Sequence, residues 1–549
     1  MSEPRFPSRV RAFASRFRRD SSGNIAVIFA IALLPILAAI GCAVDYSLAT
    51  RMKAKLQSAA DAAAVASISQ KSPGFVAAAQ MTGDGLVAAA VTDANNVFNG
   101  NMSAVTGFSN LVLTSTVTKT GIKLGSNVQF SAQVPVVFMK VLGYQTLTVT
   151  GYSKATASLP PYLDFYVTLD VSGSMGLPST TSEAARMQSI NPDNFVQYPT
   201  GCTLACHFAP QNSACTDSGT QQYPTNNYCM GYVYSRLSQS ALKTLINQRS
   251  TASVPKQPPP SLPNAMLPGL NTAVTPGSPN SLITGNSSSL PYSLAAATSC
   301  PTAGTDACIQ LRADAVGFAL NATTAANGVN GLFATANNSE KVANQFRIGL
   351  YPFIQYLYSY FPLTSSISPS SPINNAAQNL ATLLDTNVNS NLGSGGTHID
   401  IALKSINSLI TSVGDGSTSI NTLPFVFLVT DGAQDPQTKG VPNGGWSGSN
   451  HATVLSDPAN SYPAACTTLK NRGIIVSVLY IPYQPISPVN ASFANDEDDA
   501  ANNNIPNIPP SLQACASPNF FFTANTPAEI TSALNAMFQQ SLVTAHITN

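Results

Sequence analysis

Two largely apolar runs, each ending in an aspartate, constrain this chain most strongly. The first spans Leu163 to Leu169 and leads into Asp170, and the second spans Pro424 to Thr430 and leads into Asp431. We interpret both runs as buried strands. Parallel neighbouring strands end at the same edge of a sheet, which is where open α/β sheets bind ligands. The sequence therefore predicts that the two aspartates lie together.

Apolar strands alternate with amphipathic helices from residue 309 onward. Strands are predicted near 346–354, 424–430, 473–481 and 519–523, and helices near 309–325, 398–412, 460–472 and 527–542. This alternation is typical of an α/β fold with a doubly wound, mostly parallel sheet. We expect that fold to occupy residues 159–549.

Hydroxyl side chains accompany the two aspartates. Two serines follow the first aspartate in a D-x-S-x-S turn, and a threonine opens a predicted helix after a pair of glycines. Carboxylate and hydroxyl oxygens are hard donors, which Mg²⁺, Mn²⁺ and Ca²⁺ prefer. The structural alternative is that the serines only form the turn and the aspartates only cap it. The candidate metal ligands are Asp170, Ser172, Ser174, Thr397 and Asp431.

This set of residues resembles the metal-ion-dependent adhesion site of von Willebrand factor type A domains, over residues 160 to 545. The resemblance implies that Ser172, Ser174 and Thr397 bind the ion directly. It implies that Asp170 and Asp431 act mostly through water. It also implies that an acidic group of a partner protein completes the coordination. The expected cofactor is a divalent cation, Mg²⁺ first, with Mn²⁺ and Ca²⁺ as alternatives.

The amino terminus predicts a membrane anchor. Six arginines lie between residues 5 and 19 in a basic tail (1–24), and the next 20 residues, 25–44, carry no charge. At about 1.5 Å per residue this run is long enough to span a bilayer as one helix. The arginines place the amino terminus in the cytoplasm and the bulk of the chain outside. A cleaved signal peptide is the alternative, but the run is long for one and no clean A-x-A site follows it.

Residues 45–70 and 71–158 connect the anchor to the α/β domain. The first segment is rich in alanine, and its apolar residues recur at helical spacing, which predicts a helical stalk packed on a partner or on its own domain. The stripe consists of Leu48, Met52, Leu56, Ala59 and Ala63. The second segment alternates polar and apolar residues from 110 to 156, which predicts a small β-rich unit.

The amino-terminal half resembles the TadE/TadG-like segment of bacterial tight-adherence (Flp) pilus assembly proteins. The resemblance rests on Gly23–Ala30 (GNIAVIFA), Ala43–Tyr46 (AVDY) and Leu56–Ala64 (LQSAADAAA). Pilin-like members carry a glutamate five residues after the cleavage glycine, where this chain has Ile28. An anchor of this type followed by a type A domain is the layout of TadG-like proteins. It implies a single-pass inner-membrane protein with a periplasmic bulk, whose partners are pilus or secretion-machinery components.

Eight of the nine cysteines lie beyond the anchor, and an even number predicts disulfides in an exported protein. Six fall in a polar, Pro-rich insertion at about 176–308, which is either a specificity element beside the metal or a stapled surface flap. Their pairing is open. The remaining two precede adjacent predicted strands, so we expect them to form a structural disulfide at the edge opposite the metal. The candidates are Cys202, Cys206, Cys215, Cys229, Cys300 and Cys308 in the insertion, and the pair Cys466 and Cys515.

Composition and motifs argue against nucleic-acid binding and catalysis and favour a protein that binds other proteins. Only 9% of residues are charged and the formal net charge is +1, so nucleic acid is not an expected partner. No G-x-S-x-G elbow is present and no general base is paired with the site, so we expect no enzyme. The stretch from Cys202 to His207 is one residue too long for the c-type haem motif, and the acidic run 496–499 lacks EF-hand spacing.

The sequence thus predicts a membrane-anchored, extracytoplasmic protein that aids assembly or anchoring of an adhesive pilus through a metal-dependent protein contact. A secreted or surface adhesin that binds host or matrix proteins is the main alternative, and loss of the anchor would favour it. A metal-dependent hydrolase that uses the same edge of the sheet is a third class.

Overall fold

The computed structural model describes residues 23–183, 310–321, 329–385, 389–441, 445–448, 462–483, 485 and 499–547. The chain divides into two compact units, Met1–Leu159 and Pro160–Asn549. The predicted insertion lies outside the described residues from 184 onward, and so do all six of its cysteines. Helices and sheets occur in both units, which makes this a mixed α/β protein with an apolar amino-terminal helix.

A long helix, α1 (Gly23–Ala66), opens the first unit. It contains the predicted anchor and the predicted stalk up to residue 66, four residues short of the predicted end. The apolar side chains of its first half are exposed; Leu34, for example, is 73% exposed. Among the described helices, α1 is the one long and apolar enough to cross a membrane by length and composition. It is therefore consistent with a single-pass membrane anchor.

The second half of α1 packs on its own unit. Met52, Leu56, Ala59 and Ala63 form a buried stripe in one hydrophobic cluster with the sheet of this unit. Leu48, the first residue of the predicted stripe, is 42% exposed and does not belong to it. Of the two predicted alternatives, packing on a partner or on its own domain, the structure has the second.

Two shorter helices, α2 (Pro73–Gln80) and α3 (Ala88–Met102), follow, and the sequence analysis predicted neither. The second of them is rich in asparagine and contains a glycine, which are poor helix formers. Its helical state depends on packing: Phe98 is fully buried and lies against Phe130, with ring centroids 6.3 Å apart.

An antiparallel sheet completes the first unit. Its strands are β1 (Gly85–Leu86), β2 (Ser109–Thr120), β3 (Lys123–Pro135) and β4 (Thr146–Ser158), in that spatial order. Every second residue of β3 from Leu124 to Val134 is buried, as expected when one face of a sheet covers a core. The β-structure predicted over residues 110–156 is therefore confirmed.

A six-stranded sheet lies at the centre of the second unit. The strands of this unit are β5 (Leu163–Asp170), β6 (Phe346–Phe353), β7 (Phe361–Thr364), β8 (Leu423–Thr430), β9 (Thr438–Lys439), β10 (Trp446–Ser447), β11 (Ile475–Tyr480) and β12 (Phe521–Thr523). The short strands β9 and β10 form a separate antiparallel pair, and the other six have the order β12-β11-β8-β5-β6-β7. All neighbours in the large sheet are parallel except β6 and β7.

The edge strand β7 makes the sheet mixed, because it pairs antiparallel with β6 beside the parallel strands of the predicted, mostly parallel sheet. The link from β6 to β7 spans residues 354–360. It is shorter than the dozen or so residues that a parallel crossover needs, so the chain turns back as a hairpin. The sequence analysis did not predict β7, because the strand is short and contains Pro362.

Helices lie on both faces of the six-stranded sheet. They are α4 (Arg312–Leu320), α5 (Leu332–Ser339), α6 (Pro372–Gln378), α7 (Ile399–Leu409), α8 (Tyr462–Asn471), α9 (Asp499–Asn504), α10 (Ile508–Cys515) and α11 (Pro527–Ile547). In β5, Phe165 and Val167 share a buried cluster with α4, α5 and α11, whereas Tyr166 shares another with α7, α8 and α10. Strands β5 and β8 are buried at every position, which explains their apolar sequences. The sequence analysis predicted α4, α7, α8 and α11 but not the four others, which are short.

A disulfide joins Cys466 of α8 to Cys515 of α10, with the two Cα atoms 5.1 Å apart. The predicted pairing is confirmed. Each cysteine is 1% exposed, and both belong to the cluster that covers one face of the sheet. The bond therefore links two helices within a packed layer, as expected for a structural disulfide.

Replacing Cys466 with serine should lower the stability of the second unit. The bond connects residues 49 positions apart, and loop entropy limits its contribution to about 4 kcal/mol. Thermal unfolding monitored by circular dichroism should show a lower Tm for Cys466→Ser than for the unaltered chain. Cys42→Ser is the matched control, because Cys42 is a free cysteine. Equal Tm values for the two variants would contradict the structural role of the bond.

Candidate metal centre

The pairing of β5 with β8 brings the two predicted aspartates to one edge of the sheet. The strands are parallel neighbours, and their register runs from Leu163 opposite Leu423 to Leu169 opposite Val429. Asp170 ends β5, and Asp431 comes one residue after the end of β8. The predicted common edge of the two carboxylates is therefore confirmed.

The D-x-S-x-S turn folds back on its own aspartate. One carboxylate oxygen, Oδ1 of Asp170, accepts hydrogen bonds from the backbone N–H of Ser172 at 2.9 Å and from its hydroxyl at 2.6 Å. The hydroxyl oxygens of Ser172 and Ser174 are 3.4 Å apart. The other carboxylate oxygen, Oδ2, accepts from the Thr430 hydroxyl at 2.6 Å. All four residues are buried, so the structure brings three of the predicted ligands together in one desolvated turn.

Backbone hydrogen bonds hold Thr397 at the same edge. Its N–H donates to the carbonyl of Asp435 at 2.9 Å, and its own carbonyl accepts from the N–H of Asp435 at 3.0 Å. The N–H of His398 donates to the carbonyl of Ile354 at 2.9 Å. These partners follow the carboxyl ends of β8 and β6, and β5 lies between those two strands. Thr397 is therefore attached to the loops on both sides of Asp170.

The glycine pair before Thr397 makes this attachment possible. Gly395 and Gly396 have φ angles of +78° and +67°, which glycine adopts without strain. A Cβ atom on Gly396 would lie 2.3 Å from the carbonyl oxygens of Asp435 and Gln437. The loop can reach the edge of the sheet only because both positions lack a side chain.

Asp431 is fully buried, and its two oxygens have different surroundings. Its Oδ2 accepts from Nη1 of Arg312 at 3.3 Å. Its Oδ1 has no hydrogen-bond partner among the described residues. A buried carboxylate oxygen without a donor is costly, and a cation is one group that satisfies it.

Arg312 is a residue of the site that the sequence analysis missed. It begins α4, is 4% exposed, and also donates to the carbonyl of Pro482 at 3.1 Å. The available signal was an arginine at the start of a short helix with a largely apolar sequence. That signal indicates that the arginine is buried but does not identify its partner, because Asp431 lies 119 residues away in the sequence.

Burial and neighbouring charges shift the pKa values of both aspartates at this edge. Burial raises the pKa of Asp170 above its usual range, and the neighbouring carboxylate of Asp431 raises it further. Burial also raises the pKa of Asp431, and the Arg312 guanidinium opposes that rise. If both carboxylates are ionised, the guanidinium of Arg312 leaves one net negative charge at this edge, a state that burial disfavours and that a bound cation would stabilise. The donor set consists of hydroxyls and two carboxylates, one of which has an unpartnered oxygen, and it fits a hard divalent cation.

The remaining candidate sites in the sequence are His398, the Cys202–His207 motif and the acidic run 496–499. His398 is 5% exposed, its Nε2 lies 3.1 Å from the carbonyl oxygen of Gln437, and burial lowers the pKa of its ring. No group of three or more His, Cys, Asp or Glu side chains that could hold a metal occurs in the part of the chain that the structure describes. The Cys202–His207 motif and residues 496–498 of the acidic run lie outside that part.

Replacing Arg312 with methionine should destabilise the second unit. The change leaves the Asp431 carboxylate buried without its cation, and breaking a buried ion pair in this way costs roughly 3–5 kcal/mol. Lys404→Met is the control, because it breaks the exposed Lys404–Asp400 pair, for which we expect less than about 1 kcal/mol. Urea unfolding measures both. Similar midpoints for the two variants would contradict the assigned role of Arg312.

Comparison with known proteins finds a family model that matches the amino-terminal segment. Residues 23–79 match the Tad family model of Flp pilus-assembly TadE/G-like proteins. No curated protein sequence matches the chain.

Several solved structures are similar to this chain. The pilus adhesin SpaC from Lactobacillus rhamnosus GG has 11% identity and a TM-score of 0.29, and the match covers 79% of this chain and 34% of SpaC. The chain thus spans about a third of SpaC. The vWF domain of the type V pili tip protein Mfa5 from Porphyromonas gingivalis has 14% identity and a TM-score of 0.25, with coverage of 43% and 89%. The PilB minor pilin from Streptococcus sanguinis has 9% identity and a TM-score of 0.28, with coverage of 79% and 78%.

The family match falls on the long apolar helix and the start of the structure that packs on it. It begins at Gly23, the first residue of α1, and ends at residue 79, within α2. The resemblance of this segment, first read from three short motifs, is therefore confirmed. The amino-terminal segment of this chain, residues 23–79, matches the TadE/G-like Flp pilus-assembly domain.

Proposed function

We propose that this chain is a membrane-anchored, extracytoplasmic binding protein that aids assembly or anchoring of a tight-adherence pilus. The observation that carries the proposal is the TadE/G-like match at residues 23–79, which coincides with the one described helix able to span a membrane. The six arginines before that helix orient it with the amino terminus in the cytoplasm and the bulk of the chain in the periplasm. The membrane is then the bacterial inner membrane.

The second unit is the binding part of the protein in this proposal. Its sheet has helices on both faces, and we assign it to the doubly wound folds of the von Willebrand factor type A kind. Ser172, Ser174 and Thr397 would hold a divalent cation through their hydroxyls, and Asp170 and Asp431 would support it through water. When bound, such an ion supplies an open coordination position for an acidic group. The unpartnered Oδ1 of Asp431 and the closeness of two buried carboxyl groups, each of which raises the cost of ionising the other, support this assignment.

The chemistry of the donor set favours an acidic partner. The three direct ligands are neutral hydroxyls, and both carboxylates already accept hydrogen bonds from Ser172, Thr430 or Arg312. A divalent ion held in this way keeps much of its positive charge, so a carboxylate from a partner protein would bind to it with favourable electrostatics. We expect Mg²⁺ to serve best, with Mn²⁺ or Ca²⁺ as substitutes, and pilus or secretion-machinery components as partners.

The protein would act by binding, not by catalysis. A hydrolase needs a general base beside its nucleophile. The His398 ring is the nearest candidate in sequence, and its Nε2 interacts with a backbone carbonyl instead. A surface adhesin remains the second candidate function, and it requires that the chain lose its anchor.

One prediction of the proposed function concerns metal binding. Asp170→Ala or Thr397→Ala should abolish Mg²⁺ and Mn²⁺ binding, because each removes an oxygen that holds or supports the ion, while circular dichroism should show the fold retained. Isothermal titration calorimetry on residues 160–549 measures the affinity. Thr523→Ala is the matched control, since this exposed threonine ends β12 at the same edge of the sheet. Unchanged affinity in both site variants would refute the metal assignment.

Another prediction of the proposed function concerns the membrane topology of the chain. Alkaline phosphatase fused after residue 69 should be active, because the enzyme folds only outside the cytoplasm and the arginine bias exports everything after the anchor. The same reporter fused after residue 22, before the apolar run, should be inactive. An inactive fusion at residue 69 together with an active cytoplasmic reporter there would reverse the orientation. Mature protein that starts beyond residue 40 would show a cleaved signal and favour the adhesin.

A further inference from the structure

The hairpin between β3 and β4 exposes an unusual amount of apolar surface at its tip. We define the hairpin tip as Val137–Tyr144. Its exposed apolar side chains are Val137 (63%), Phe138 (50%), Val141 (88%), Leu142 (56%) and Tyr144 (55%). A cluster of this kind on one turn is rare on a surface that faces water alone, and it marks a contact with a membrane or another protein.

The hairpin tip is fixed to α1 by one carboxylate. Asp45 accepts hydrogen bonds from the backbone N–H groups of Val137, Phe138 and Met139 at 2.9, 2.8 and 2.7 Å. Asp45 itself is 2% exposed. Hydrogen bonds to an ionised group are roughly twice as strong as neutral ones, so three of them hold the tip rigidly. Its position along α1 is therefore defined.

That position is the end of the predicted anchor. Asp45 is the first residue after the uncharged run 25–44. Gly41 lies one turn deeper, about 6 Å along the helix axis, and Phe138 packs against it. A Cβ atom at Gly41 would lie only 2.5 Å from the Cβ of Phe138. The tip thus extends beside the last turn of the apolar run.

The anchor exposes apolar side chains at the same level. Leu37, Ile40 and Val44 are 53%, 55% and 42% exposed. The apolar surface of the tip is therefore continuous with that of the segment proposed to lie in the bilayer. Lys140 is exposed within the tip, and aromatic and basic side chains are typical of the boundary between acyl chains and headgroups.

We propose that the hairpin tip is a second membrane contact, which inserts into the interfacial region of the leaflet beside the end of the anchor. Phe138, Val141 and Leu142 enter the acyl boundary, Tyr144 lies at the headgroup level, and the ammonium group of Lys140 reaches the lipid phosphates. Two contacts restrict how far the first unit can tilt or rotate on the membrane, which a single helix cannot do. The inference rests on the proposed anchor, and the test separates the two.

The single tryptophan of the chain allows a direct test. Trp446 is replaced by phenylalanine in the full chain, and one tryptophan is then introduced at a time: Val141→Trp in the tip, Leu37→Trp in the anchor and Val112→Trp as a matched control. Val112 is a valine of the same unit, 61% exposed, on strand β2. Each variant is reconstituted into vesicles of phosphatidylcholine, with or without bromine on the upper acyl chain, and tryptophan fluorescence is compared.

We expect brominated lipid to reduce the fluorescence of Val141→Trp by an extent comparable to that of Leu37→Trp, and to leave Val112→Trp unchanged. Quenching of Leu37→Trp without quenching of Val141→Trp would overturn the second contact and keep the anchor; the tip would then be a surface for a protein partner. Absence of quenching at Leu37→Trp would overturn both the anchor and the inference. Quenching at all three positions would show non-specific adsorption and would also overturn the inference.

Discussion

Parallel pairing of β5 with β8 is the constraint on which the candidate site depends. The register places Asp170 beside Thr430, and the hydroxyl of that threonine donates to the carboxylate at 2.6 Å. Asp431 follows in the chain, so two carboxylates meet at one edge of the sheet. Helices on both faces then bury this edge, which makes its negative charge costly. The same strand pairing therefore forms the site and creates a buried pair of carboxyl groups that positive charge would stabilise.

Arg312 supplies one positive charge at this edge from within the chain. Its guanidinium interacts with one oxygen of Asp431 and leaves the other without a donor in the described structure. In the proposed function, Ser172, Ser174 and Thr397 would hold a divalent ion at the same edge of the sheet as this fixed positive charge. Repulsion between the two cations would weaken metal binding by the isolated protein. A partner carboxylate would offset that repulsion, so metal and partner should bind cooperatively.

The sequence predicted what local pattern determines and missed what distant contacts determine. The apolar runs ending in Asp170 and Asp431, and the D-x-S-x-S turn, are local, and the structure brings them to one edge. Strand β7 was missed because it is short and contains Pro362. Its antiparallel direction follows from the short link that precedes it, which no local pattern of the strand itself reveals. Arg312 was missed because its partner is remote. The exposed hairpin tip was missed because its largely apolar sequence adjoins predicted β-structure and gives no sign of exposure. Its position beside Asp45 arises only from folding.

Anomalous diffraction from crystals grown with Mn²⁺ tests the central claim most directly, because it locates the ion without reference to affinity. The account predicts one strong peak at the carboxyl edge of β5, with the hydroxyl oxygens of Ser172, Ser174 and Thr397 at metal–oxygen bonding distance, about 2.0–2.4 Å. It also predicts that Arg312 stays on Asp431. A structure with saturating Mn²⁺ and no peak at this edge, or a peak held by other residues, would contradict it.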